Sequence, residues 1–143
     1  MPGNLKFKYE VPGDDYSRAG EASAQVKKVL RRLGVSPETI RRVSVAMYEG
    51  EINMVIHADG GVIDVEIDSA CISLTLRDTG PGIEEIELAM KEGYSTATDE
   101  VRAMGFGAGM GLPNIKKNSD YMKIESTPGV GTIVYIKIAL GEA

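Results

Sequence analysis

The sequence predicts an α+β protein, a two-layer α/β sandwich with a mixed, largely antiparallel sheet. Three observations predict it. Strands of period two occur in pairs joined by short turns, helices with one apolar stripe separate them, and no repeat, low-complexity tract or linker interrupts the 143 residues. Antiparallel strands with a single apolar face need helices to cover that face, which is the two-layer solution. The length suits one compact domain over 1–143.

The elements follow in order. "LKFKYEV" places Leu5, Phe7, Tyr9 and Val11 on one face and Lys6, Lys8 and Glu10 on the other, the alternation of a half-buried strand, and we expect it at the sheet edge. After "PGDD", Ala19, Ala22, Val26, Val29, Leu30 and Leu33 recur at helical spacing up to Gly34. Ser36 and Pro37 supply an N-cap and a first-turn proline for a second helix reaching about His57. "VIDVEID" and "CISLTLRD" alternate again and predict a hairpin bending near Ser69 and Ala70. "IEEIELAMKEG" reads as a short acidic helix, Gly93 to Gly111 has no periodicity, and a helix runs from Leu112 to about Ser119. "YMKIEST", the turn "PGVG" and "TIVYIKIAL" close the chain as a hairpin.

Composition narrows the function. A net charge of −5, with lysines and arginines scattered or confined to one helix, argues against nucleic acid as a partner. No apolar run is long enough to span a bilayer, so no membrane is expected. The N-terminus lacks the apolar core of a signal peptide, and the single cysteine, Cys71, has no intramolecular disulfide partner, which points to a reducing, cytoplasmic setting.

Three local patterns carry chemistry. In "YEGEINMVIHADGG", Glu49, Asn53 and His57 are spaced by four and share one helix face. A carboxylate can accept a proton, and a neutral amide oxygen is a hard ligand suited to Mg2+. In "LRDTGPGI", Asp78 ends a strand and is followed by Gly80 and Gly82. Such an aspartate can accept from an exocyclic amine like that of adenine, and glycines permit close backbone approach to a flat ligand. In "MGFGAGMGLPN", Gly105, Gly107, Gly109 and Gly111 stand at every second position directly before a helix. Repeated glycine there can aim backbone amides at phosphate oxygens. Neither the P-loop nor the dinucleotide-binding glycine spacing is present. Taken singly, a solvated helix face, a strand-terminating turn and a flexible loop would account for the three patterns.

In order and spacing, E-x-x-x-N, then D-x-G-x-G, then G-x-G-x-G, then the "GVGT" of Gly129 to Thr132 resemble the Bergerat ATP-binding fold of gyrase, the heat-shock chaperone of that class, histidine kinases and MutL, across nearly the whole chain. "NMVIHA" and "EGYST" look most like the bacterial anti-sigma factors and switch serine kinases of partner-switching modules. The resemblance implies an ATP-binding domain that takes ATP and Mg2+. By position, Glu49 matches the general base, Asn53 the Mg2+ ligand, Asp78 the adenine contact, and Gly80 and Gly82 the adenine wall. Gly105 to Gly111 match a phosphate lid, and Thr132 a water-mediated adenine partner. His57 matches a histidine that often follows the asparagine box, and Lys116, Lys117 and Arg102 all compete for the terminal phosphate. Implied partners are a sigma factor, a small antagonist protein of the anti-anti-sigma type, or both, and the edge strand from Leu5 to Val11 offers a pairing surface for a homodimer. Two activities stay open: a serine/threonine-protein kinase acting on the antagonist, and an ATP-dependent binding module with little or no phosphotransfer.

Overall fold

The computed structural model describes residues 4–13, 18–57, 60–79 and 111–140. The expected acidic helix, most of the glycine-bearing segment and the positions Gly80, Gly82, Arg102, Gly105, Gly107 and Gly109 lie outside them. Within the described residues the order is β1 (Leu5–Pro12), α1 (Glu21–Arg32), α2 (Pro37–His57), β2 (Gly60–Ile67), β3 (Cys71–Asp78), α3 (Gly111–Asn118), β4 (Tyr121–Thr127) and β5 (Gly131–Ala139). The strands form one sheet in the order β1-β2-β3-β5-β4, and every described pair is antiparallel. β1 is an edge strand, as its alternation predicts. β4 forms the other edge.

Alternation decides what the helices cover. Ile63, Val65 and Ile67 of β2, Ile72, Leu74 and Leu76 of β3, and Val134, Ile136 and Ile138 of β5 are buried on one face. They meet Val26 and Leu30 of α1, Val43, Met47 and Val55 of α2, and Ile115 of α3 in one apolar cluster. Each such side chain contributes about 1.5–3 kcal/mol on removal from water, so this layer contact dominates the stability of the sandwich.

Local signals set the element ends. The Ser36 hydroxyl accepts from the Thr39 amide at 3.3 Å, making the N-cap that Pro37 announces. α1 starts at Glu21, two residues after the first apolar position Ala19, because Gly20 occupies its N-cap in the left-handed conformation, φ 97°. Gly20 has no side chain with which to cap. The missing acceptor comes from α2.

Candidate functional site

α2 carries the first two predicted residues. Glu49 and Asn53 lie one turn apart and both are half-buried. Between them Gly50 is buried, and a Cβ added there would run into the Leu76 side chain and stand 3.9 Å from Ile115 Cδ1. The absent side chain therefore lets α2 settle against both β3 and α3. Asp78 follows Leu76 by two residues on the same face of β3, roughly 7 Å along the strand. The Glu49–Gly50 turn of α2 thus packs on β3 at Leu76 and on α3 at Ile115.

At the strand end, Asp78 and Thr132 are direct cross-strand partners. Asp78 Oδ1 accepts the Thr132 amide at 3.2 Å, and the Thr132 hydroxyl lies 3.0 Å from that of Ser126. Gly131 makes the approach feasible, since a Cβ there would collide with the Asp78 carbonyl group. The structure thus brings together two residues 54 positions apart that the motif reading singled out separately.

The electrostatics of Glu49 suit proton transfer. Burial raises its pKa above the ordinary glutamate value, and a hydrogen bond from the Asn114 side chain on α3 works in the opposite direction. A half-buried carboxyl that takes up protons more readily than a free glutamate has the character of a base. Gly111, the last of the four repeated glycines, opens α3. Lys116 and Lys117 are exposed in the last turn of that helix. His57 closes α2.

Sequence reading missed two residues here. Asn114 is one. The other is Glu51, 2% exposed, whose Oε2 accepts the amides of Gly20 at 2.8 Å and Ala22 at 3.2 Å while Oε1 accepts that of Ser23 at 3.1 Å. It caps α1 from another helix. A signal for it existed: Glu51 stands four residues from both Met47 and Val55, inside the buried stripe of α2.

A family model described as histidine kinase-, DNA gyrase B-, and HSP90-like ATPase matches residues 39–142. The chain belongs to this ATPase family. Within the family it is similar to an anti-sigma F factor of Thermoanaerobacter sp. (strain X514), 34% identical over 125 residues, covering 84% of each chain. An anti-sigma F factor of Caldanaerobacter subterraneus subsp. tengcongensis is 30% identical over 143 residues, covering 96% of this chain and 92% of the relative. The serine/threonine-protein kinase RsbT of Bacillus subtilis (strain 168) is 29% identical over 110 residues, covering 74% and 77%. A chain of the SiaB-SiaC complex from Pseudomonas aeruginosa superposes with a TM-score of 0.56 at 12% identity, over 93% of this chain and 89% of that one, and shares the fold. These relatives place the chain in the anti-sigma and switch-kinase branch of the ATPase family. Among the described residues no helix is long and apolar enough to cross a membrane.

Proposed function

We propose that the chain binds ATP and Mg2+ and transfers the γ-phosphoryl group to a serine or threonine hydroxyl of a small antagonist protein. The observation that carries this reading is Glu49: a half-buried carboxyl of raised pKa, one helical turn from the Asn53 amide and next to Gly50, which packs on Leu76 of the strand that ends in Asp78. The kinase name of the Bacillus subtilis relative supports it.

Each residue has one task. Asp78 accepts the exocyclic amine of adenine, with Thr132 holding its carboxylate in place from the neighbouring strand. Asn53 offers an amide oxygen to Mg2+, which offsets the phosphate charge when bound. The half-buried Asn53 would supply one hard amide oxygen to such a cation. Gly80 and Gly82 line the adenine, and Gly105, Gly107, Gly109 and Gly111 present amides to the phosphates. Glu49 takes the proton of the attacking hydroxyl as its oxygen bonds to the γ-phosphorus and the bond to the β,γ-bridging oxygen breaks, leaving ADP.

A second reading has its own support. The names of the Thermoanaerobacter and Caldanaerobacter relatives describe inhibition of a sigma factor, which an ATP-dependent binding module performs without turnover. The outer edge of β1, which pairs only with β2 among the described residues, supports association with a second copy.

Single-turnover transfer to a purified antagonist protein, with ATP affinity measured on the same samples, tests the assignment. Glu49→Ala should leave ATP affinity nearly intact and slow transfer by about 10²–10⁴-fold, the contribution of a positioned base. Transfer at the parental rate rejects Glu49 as the base. A parent that transfers to no partner yet holds a sigma factor only with ATP selects the binding module.

A further inference from the structure

We infer that Ser126 is a positioning residue for base selection: by taking the Thr132 hydroxyl proton in a hydrogen bond it makes Thr132 an acceptor, so that this end of the sheet takes a base with the amine of adenine and turns away one with a carbonyl in that place. The inference deepens the ATP-binding reading and rests on it. Register brings the residues together. Thr132 of β5 pairs with Asp78 of β3 on one side and with Ser126 of β4 on the other, so the three form one row across adjacent strands. Asp78 follows the buried Leu76 by two residues, Thr132 precedes the buried Val134 by two, and Ser126 follows the half-buried Ile124 by two, which sets the whole row on the helix-covered face. A tight turn closes the hairpin beside it, where the Val130 amide donates to the Thr127 carbonyl at 2.9 Å.

The direction of each hydrogen bond follows from a count of protons. A serine hydroxyl has one proton and two lone pairs. Ser126 donates that proton to the Gly131 carbonyl at 3.3 Å. Its contact with the Thr132 hydroxyl at 3.0 Å is then made with a lone pair, and Thr132 is the donor. The Thr132 amide is engaged as well, donating to Asp78 Oδ1 at 3.2 Å. With both protons of Thr132 committed inside the row, its hydroxyl oxygen and the Asp78 carboxylate offer acceptors only. An amine suits them. A carbonyl in that place meets lone pairs and gives up its hydrogen bonds to water without replacement. Thr132 is only 7% exposed, so little solvent is at hand to supply the missing donor.

Calorimetry with Mg2+ of ATP and of inosine triphosphate, whose base carries a carbonyl in place of the amine, tests this on the full chain in four forms: the parent, Ser126→Ala, Thr132→Val and the double variant. In Ser126→Ala the Thr132 hydroxyl is released and can turn its proton to the carbonyl, so the preference for ATP narrows by about 3- to 10-fold, the worth of one neutral hydrogen bond. Ser126→Thr, which keeps a hydroxyl, retains the parental preference. In the Thr132→Val background, Ser126→Ala leaves the preference where Thr132→Val put it. A Ser126 that serves only the hairpin, as ordinary cross-strand pairs do, changes both affinities together and leaves their ratio unmoved, and that result overturns the proposal with the ATP site still standing. So does a narrowing of the same size in the Thr132→Val background. A parent that binds neither nucleotide overturns the ATP-binding reading and this proposal with it, so the two failures are told apart.

Discussion

Glu49 illustrates how one side chain can be poor for stability and suited to function. Its pKa is raised by burial, so the folded chain binds its proton more tightly than the unfolded chain does. Stability is therefore lost as pH rises from the unfolded glutamate value through the folded one, and the cost persists at neutral pH. Glu49→Gln should unfold at higher urea than the parent at neutral pH, with the difference closing as pH falls to the ordinary glutamate range. Urea titrations at a series of pH values check this, and a variant less stable than the parent at neutral pH would contradict it. Glu49 and Asn53 were legible because spacing by four is a property of the helix alone. Asn114 was not, since its relation to Glu49 arises only where α2 and α3 pack across Gly50.

At the scale of elements, two carboxyl groups fasten helices to what surrounds them. Glu51 supplies the cap that Gly20 lacks, and removing it leaves buried amides without an acceptor. Glu51→Ala should cost at least about 1–3 kcal/mol of unfolding free energy, and Glu51→Gln less, because an amide oxygen still accepts. Denaturation of the two variants measures the difference. Asp120 accepts the Ala139 amide at 2.7 Å and the Arg42 guanidinium at 3.1 Å, and these two bonds, the first the larger, hold its carboxyl below the usual range. Its stabilisation is present above the unfolded aspartate value and lost as pH falls through the depressed folded one. Asp120→Asn should therefore be less stable than the parent at neutral pH and indistinguishable from it in strong acid, as urea midpoints at both pH values would record. The strands, the Ser36 cap and the apolar stripes were readable locally. The Glu51 cap joins residues 31 apart, and only its place in a buried stripe hinted at a structural task.

Across the whole molecule, local signals yield hairpins and amphipathic helices, and the sheet order has to come from elsewhere. β2 and β3 are neighbours in sequence, as are β4 and β5, and both pairs were expected. The joining of β1 to β2 across two helices, and of β3 to β5 with β4 displaced to the edge, depends on how the helices pack over the buried face. The β3–β5 junction is also what unites the site, because it sets Asp78 beside Thr132. The family match over residues 39–142 runs from the first turn of α2 past Asp78 to the closing hairpin.

The central claim, that this sheet end and the α2 face form an ATP site, is tested most directly by calorimetry of ATP with Mg2+ on the parent and Asp78→Asn. An asparagine can turn its own amide donor towards the adenine amine, and loss of a hydrogen bond to a charged group there is worth about 1.5–3 kcal/mol. The account predicts saturable binding by the parent and affinity weaker by about 10- to 150-fold in the variant, with the fold kept intact by circular dichroism. A parent that binds no ATP, or a variant that binds it as tightly as the parent, would contradict it.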